Sequence, residues 1–366
     1  MINKDPGKRH FYISIVKSIL RFGACGYLYF GMYEGAALLL FSAEVLGVAG
    51  DLMRVRILNG WVVEFSDIDL KTASDEEMKF IGSTVVSNLC VVIKGQKLTP
   101  YEQLNICSKI GDVERHFNTE QKKDILKDVS IADGVSRVTG ALNERGKPGL
   151  FNRTEDLEWH VNAAFKNKRH PLVWIYADKG VEGSRTSWLN MSKVYYSLGR
   201  HERYKMKELK VHAGFKTDRT DINVGYDSTL DILSRHKDPD PELLENLKEN
   251  MKNPPVEDVS FEDWSKIWPE LKPFDLYYKN PAGVEGLYFP FYQVAGIKGY
   301  SKEKFEEFKE YIMELALNDD NIYHHDWELG DIVLSEQWLT LHKRWAFDKM
   351  NDRVVHRIAL DYRKVI

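Results

Sequence analysis

A β-rich barrel or jelly roll with helices packed outside it is the fold class that this sequence predicts. Three observations lead there. Short strand-like runs bounded by turn residues precede residues 190–275, follow them and close the chain. Helical signals occur singly, as capping boxes or one amphipathic stripe. Finally, 366 residues with 43% hydrophobic and 29% charged content can sustain a full core, so disorder is excluded as the main state. A chain this long buries roughly 75% of its unfolded surface.

The elements follow in order. Residues 54–69 read as strands around a turn at Asn59-Gly60. Ser74 to Glu77 is a capping box that opens a helix to about Asn88. A continuous apolar run, 89–93, reads as a buried strand. Thr99-Pro100-Tyr101-Glu102 is a second capping box, with proline at the first helical position, and its helix ends near Gly111. Strand-like segments follow at 157–165, 172–177 and 184–189. Residues 190–275 read as an insertion, because apolar periodicity is weak there and Asp238-Pro239-Asp240-Pro241 breaks the chain. Strands resume at 276–278 and 287–291. An amphipathic helix spans 302–317, with Phe305, Phe308, Ile312 and Leu315 on one face. Runs at 323–328, 331–342 and 353–362 read as closing strands.

The first fifty residues differ from the rest. Residues 11–50 are apolar and rich in small side chains, and from Phe22 to Ala43 the only charge is Glu34. The length suits one membrane crossing, and Lys8, Arg9, Lys17 and Arg21 precede it. A hairpin packed on the domain, or a working domain that starts at Met53, are the rival readings. The domain division is therefore 1–52 as a hydrophobic N-terminal segment, open to membrane contact through 11–50, and 53–366 as the working domain with its insertion at about 190–275.

Composition narrows the function. Lys+Arg 51 against Asp+Glu 55 gives a net charge of -4, which argues against a nucleic-acid partner. Three scattered cysteines (Cys25, Cys90, Cys107) form neither a disulfide framework nor a thiolate metal site and suit the cytoplasm. A small-molecule substrate is the expected partner, and self-association into a homo-oligomer is left open.

Four constellations carry chemistry. His160 and Asn162 in Trp159-His160-Val161-Asn162 share one strand face, because strand side chains repeat every second residue. His342 lies in a late strand. Arg353 and Arg357 are four apart, hence on one face, with Val354 and Ile358 on the other. Two guanidiniums on an otherwise apolar strand need anions, and the arginine fork matches a carboxylate; a solvated edge strand with ion pairs is the plainer alternative. Thr186, in Gly183-Ser184-Arg185-Thr186, becomes significant if its hydroxyl sits beside those arginines.

The order of these features resembles the taurine dioxygenase (TauD/TfdA) family of Fe(II)- and 2-oxoglutarate-dependent oxygenases, whose pattern is His-x-acid, a later threonine, a distal histidine and an arginine: here Asn162 stands at the acid position, Thr186 is 26 residues after His160, and Arg353 is eleven after His342. The likeness covers about 59–362 and includes Gly95 to Pro100, Ile110-Gly111-Asp112 and His324 to Asp331. It is also similar in character to phage-encoded oxygenases. The resemblance implies a double-stranded β-helix (jelly-roll) core with flanking helices. It implies Fe(II) as cofactor and 2-oxoglutarate as co-substrate, and hydroxylation of a small organic substrate with release of succinate and CO2. Carried over residue by residue, His160, Asn162 and His342 match the metal positions. Thr186 and Arg353 match the positions that hold the far carboxylate of 2-oxoglutarate, while His116, Asp156 and Arg357 match positions around the primary substrate.

Two departures stand out. The family has aspartate where this chain has Asn162, so the 2-His-1-carboxylate triad lacks its charge. Asn162 ligating through its amide oxygen, water in its place, a compensating carboxylate such as Asp178 or Glu182, or a catalytically impaired binding module for organic acids are the open outcomes. Asp156 replaces a neutral amide, which implies a substrate with a cationic part.

Overall fold

The computed structural model describes residues 53–116, 129–152, 154–162, 170–213, Pro241, Glu245 and 273–365. The hydrophobic segment 1–52 and most of the 214–272 stretch lie outside the described residues. Among those described, no helix is long and apolar enough to cross a membrane.

Strands β1 (Arg54–Leu58) and β2 (Val62–Ser66) form the expected hairpin, with Asn59 and Gly60 both at positive φ, 47° and 71°. That geometry matches the right-handed twist of the flanking strands, and asparagine and glycine tolerate it best. Helix α1 (Asp75–Asn88) starts at the Ser74–Glu77 capping box. It leads into β3 (Cys90–Ile93), all four residues of which are buried. Helix α2 (Pro100–Ile110) starts at the second capping box, from Thr99 to Glu102.

Next come β4 (Ser130–Ala132), β5 (Val135–Val138), β6 (Leu157–His160), β7 (Leu172–Lys179) and β8 (Arg185–Asn190). Helices α3 (Met191–Ser197) and α4 (Arg200–Met206) lead to β9 (Lys210–Ala213). After 272 lie β10 (Phe274–Asp275), β11 (Tyr277–Lys279), β12 (Glu285–Leu287), β13 (Val294–Ile297) and α5 (Lys302–Ala316). The chain closes with β14 (Ile322–Asp326), β15 (Ile332–Glu336), β16 (Thr340–Arg344) and β17 (Val354–Leu360).

Two sheets dominate. The larger has eight strands in the order β1-β2-β3-β15-β7-β17-β5-β4, and the smaller has four, β14-β8-β16-β6. All pairings are antiparallel except β2 with β3. Alternation along each strand sorts side chains into three layers. Val91 and Ile93 of β3, Ile332 and Leu334 of β15 and Ile358 and Leu360 of β17 meet α1 and α2 on one face. Cys90, Val92, Val333 and Val355 point the other way, toward Trp188, Tyr323 and Leu339 of the smaller sheet and its turns. Behind that sheet, Trp159, Leu189 and Leu341 pack on Met191, Val194, Phe305 and Ile312. Burying each such large apolar side chain contributes roughly 1.5–3 kcal/mol, so the sandwich is held from both sides.

Gly330 adopts φ 79°, and a Cβ there would lie 2.1 Å from the Gln96 carbonyl oxygen. Its own carbonyl accepts the Gln96 N–H at 2.8 Å, which locks the 95–98 loop to the β14–β15 turn.

Several expectations change. The run 331–342 is two strands, β15 and β16, separated by a turn through Gln337 to Leu339. The strand beginning at 157 ends at His160 rather than 165. Strands β4, β5 and β13 had no sequence signal, being three or four residues long. The front of the stretch read as an insertion belongs to the core: Met191, Val194, Tyr195, Leu198 and Val211 are all buried in the layer behind the smaller sheet.

Candidate functional site

Between the two sheets lies a cleft lined from one side by Val138, Ile175, Arg353, Val355 and Arg357, and from the other by Leu157, His160, Thr186, His342 and Arg344, with Phe151 and Asn162 completing the lining. The register explains the meeting. His160 of β6 and His342 of β16 are direct cross-strand partners, and their rings stand 4.1 Å apart. Arg344, two residues on, faces the same way and pairs in register with Thr186 of β8. On β17 Val355 and Arg357 face the cleft, and Arg353, one residue before the strand, lines it with them. Ile358 and Leu360 face the helices.

Both imidazoles are held neutral. Burial, with the guanidiniums of Arg357 and Arg344 nearby, pulls the His160 pKa down to about 4. His342 is pushed well below the usual histidine range by burial, then by His160 and Arg357. His160 Nδ1 lies 2.5 Å from the Glu158 carbonyl oxygen, so Nδ1 is the donor and Nε2 keeps a lone pair. A neutral imidazole whose second nitrogen is fixed by a carbonyl is what a metal-binding histidine needs. His160 meets that need, and the neutral His342 ring beside it offers a second nitrogen, so the pair fits a divalent first-row metal.

The third position does not supply a carboxylate. The backbone around Asn162 is clamped: its N–H donates to Gln337 Oε1 at 3.0 Å, and Val161 exchanges two hydrogen bonds with the Gln293 amide at 2.8 and 3.0 Å. Its side-chain oxygen accepts from Arg357 Nη1 at 2.8 Å, while Nδ2 is buried without a partner. Because a guanidinium can only donate, the amide orientation is determined. Neither Asp178 nor Glu182 compensates: both are exposed and neither lines the cleft.

Arg353 is 2% exposed; its Nε donates to Ser184 Oγ at 3.1 Å and its Nη1 has no partner. Burial, then the neighbouring Arg344, pulls its pKa down to about 9. Arg344 donates to the carbonyls of Phe151 and Glu155 at 3.1 and 2.7 Å, and burial brings it to about 10. Arg357 lies over the Phe151 ring, 5.3 Å from its centroid, and withdrawal from water lowers its pKa too. Among the described residues no carboxylate lines the cleft or forms an ion pair with any of these three arginines. Thr186 is 3% exposed, and its oxygen accepts the Trp327 indole N–H at 2.9 Å.

Two expected substrate contacts are not brought to the cleft. Asp156 sits just before β6 begins, accepts from the Ala346 N–H at 2.6 Å and pairs with Lys343 at 2.8 Å. The cationic part of a substrate that Asp156 implied finds no counterion from Asp156 in the cleft. His116 bonds Ser130 Oγ at 2.7 Å and Asp133 Oδ1 through its backbone, beside β4 and β5. Sequence reasoning gave no role to Arg344, Gln293, Gln337, Ser184 or Trp327. Only Arg344 carried a usable signal: it shares strand parity with His342.

The taurine catabolism dioxygenase TauD, TfdA family model matches residues 55–359. Pentalenolactone F synthase from Streptomyces arenae is 22% identical over 286 residues, covering 76% of this chain and 84% of that protein. The crystal structure of AAD-2 in complex with Mn(II) and N-oxalylglycine superposes with a TM-score of 0.60 at 18% identity, over 85% of this chain and 98% of that one. A taurine dioxygenase structure from Burkholderia xenovorans gives 0.58 at 16% identity, over 85% and 89%.

Proposed function

The chain belongs to the taurine catabolism dioxygenase TauD, TfdA family, and from that premise we propose that it is an Fe(II)- and 2-oxoglutarate-dependent oxygenase acting on a small organic substrate. The observation that carries the reading is the meeting of two neutral histidines, one of them oriented by a backbone carbonyl, with a buried arginine pair that has no carboxylate partner, all in one cleft. The two facing sheets support a double-stranded β-helix as its frame, and residues 53–366 as one oxygenase domain.

His160 and His342 would hold the iron through their free nitrogens. Iron bound there supplies the redox chemistry that couples oxidative decarboxylation of 2-oxoglutarate to hydroxylation of a C–H bond, with succinate and CO2 as products. The chain's own work is electrostatic. Arg353, with an unpartnered Nη1 and Arg344 beside it, is a buried cationic seat for a carboxylate. Thr186 already accepts from Trp327, so its one proton is left to donate toward that seat. Val138, Leu157, Ile175 and Val355 exclude water, which strengthens those contacts. Three cationic linings select against a cationic substrate.

The arginine bond to the Asn162 oxygen favours a second reading, a catalytically impaired relative that binds organic acids and retains iron poorly. Succinate release from 2-oxoglutarate, measured with and without Fe(II), separates the two. Iron-dependent succinate that disappears in His342→Ala supports the oxygenase. Saturable 2-oxoglutarate binding with no iron-dependent succinate, coupled or uncoupled, overturns it in favour of the binding module.

A further inference from the structure

We infer that Tyr323 is a redox-active tyrosine, the end of an aromatic path that drains one-electron oxidising equivalents from the metal position when O2 and 2-oxoglutarate are consumed without substrate. This rests on the oxygenase reading above.

The path is one rung of the smaller sheet. Register pairs His160 with His342, His342 with Trp188, and Trp188 with Tyr323, across β6, β16, β8 and β14. Directly opposed residues share a sheet face and lie within side-chain contact. The rung therefore leads along the inner face from the histidine pair to the phenol. Trp188 is fully buried, and its ring centroid is 6.5 Å from that of Tyr323 at 34° between planes.

A proton acceptor marks Tyr323 as the end of the path. His325, two residues on and hence on the same face, has Nδ1 3.0 Å from the phenol oxygen. Its Nε2 faces Asp331 Oδ2 at 3.2 Å and has no hydrogen-bond partner. A carboxylate can only accept, so the ring hydrogen belongs on Nε2, and Nδ1 accepts the phenol O–H. Asp331 is itself fully buried and also meets Lys94 Nζ at 2.6 Å. The tryptophans lack such a base. Trp188 Nε1 donates to Ser335 Oγ at 3.1 Å and Trp327 Nε1 to Thr186 Oγ1 at 2.9 Å, and a hydroxyl is too weak a base to take the indole proton. An oxidised Trp188 thus remains a cation in a dry core and passes its charge on. Burial holds the Tyr323 phenol well above the usual tyrosine range, so its proton does not leave ahead of the electron.

The step balances. A one-electron oxidant formed at the metal position takes an electron from Trp188, and the indole cation takes one from Tyr323. The Tyr323 O–H bond breaks and an N–H bond forms at His325 Nδ1. A neutral tyrosyl radical is left, with an imidazolium opposite the Asp331 carboxylate. The oxidant ends one electron reduced and Tyr323 one electron oxidised.

The test uses full-length, Fe(II)-loaded protein with 2-oxoglutarate and O2 but no primary substrate, frozen at intervals and read by electron paramagnetic resonance. Wild type should show a tyrosyl signal that is absent from Tyr323→Phe. Trp188→Phe should cut its yield at least tenfold. So should His325→Gln, which keeps a hydrogen-bond partner but cannot take up the proton. Tyr323→Phe should also lose 2-oxoglutarate turnover several-fold sooner in this incubation, with 2-oxoglutarate affinity unchanged. Iron-dependent loss of 2-oxoglutarate with no tyrosyl signal overturns the path alone. So does a signal that survives Tyr323→Phe, or a full signal in Trp188→Phe. No iron-dependent loss of 2-oxoglutarate in wild type overturns the oxygenase reading, and the path with it.

Discussion

Trp327 donates its indole N–H to the Thr186 hydroxyl oxygen at 2.9 Å, in a buried setting where the Trp327 ring also meets His325 edge-on at 4.6 Å. The tryptophan thus occupies the oxygen's acceptor role and leaves the hydroxyl proton to a ligand. Trp327→Phe keeps most of the ring and removes the donor. We expect 2-oxoglutarate affinity to fall about fivefold, the worth of roughly 1 kcal/mol for one neutral hydrogen bond. Thr186→Val should lose more, and the double variant should lose less than the sum of the two, since they share one interaction. Additive losses by calorimetric titration would refute the coupling.

Arg353 is the strongest candidate for the far carboxylate of 2-oxoglutarate. Arg353→Ala should lower that affinity at least tenfold, since a charge-assisted bidentate contact contributes roughly 1.5–3 kcal/mol. An unchanged binding isotherm would remove Arg353 from the site. Stability should not fall in step, because the free protein already bears the burden of a buried cation without a carboxylate partner.

Metal should stabilise the fold through the histidine pair. Adding Mn(II) or Co(II) to metal-free protein is expected to raise the melting temperature in proportion to the logarithm of metal concentration above Kd. His342→Ala and His160→Ala should each abolish that shift. A shift that persists in both variants would place the metal elsewhere.

Glu336, at the end of β15, is fully buried, accepts only the Trp338 N–H at 3.2 Å, and leaves Oε2 without a partner. Burial raises its carboxyl from the usual 4.5 to about 8. The folded chain therefore keeps a proton that the unfolded chain has lost between those values. Its contribution to stability is fully present below pH 4.5 and is lost as pH rises through about 8. Glu336→Gln should match wild type near pH 5 or fall slightly below it. By pH 8.5 it should melt several degrees higher, on the order of a few kcal/mol. A pH-independent difference in melting temperature would show that the carboxyl does not titrate in this range.

Asp156 stands outside the cleft, with Lys343 and the Ala346 N–H. Asp156→Asn should leave 2-oxoglutarate affinity and metal retention within about twofold, as for most surface substitutions. A large loss in either would return Asp156 to the site.

Local rules made much of this legible. Two capping boxes announced α1 and α2 because the cap is a contact between residues three apart. Period-two alternation placed Arg353 with Arg357, and both line the cleft, although Arg353 stands one residue before β17 begins at Val354. The same rule misled where a strand stopped. Asp156 shares parity with His160, yet β6 begins only at Leu157, and a lysine from β16 claims the carboxylate. The long strand expected at 331–342 failed because the turn at Gln337 to Leu339 contains neither glycine nor proline to mark it.

Strand periodicity and side-chain chemistry are enough to specify the two-sided apolar patterning that makes a sheet sandwich, and the residue types of a two-histidine, two-arginine site. Tertiary structure alone decided what Asn162 can do. Its amide has an acceptor and a donor, and which one faces the cleft depends on Arg357, 195 residues away along the chain. The partner is brought close only when the two sheets close face to face. A short-range rule cannot see that contact, because the free energy that orients the amide comes from an element with no local link to it.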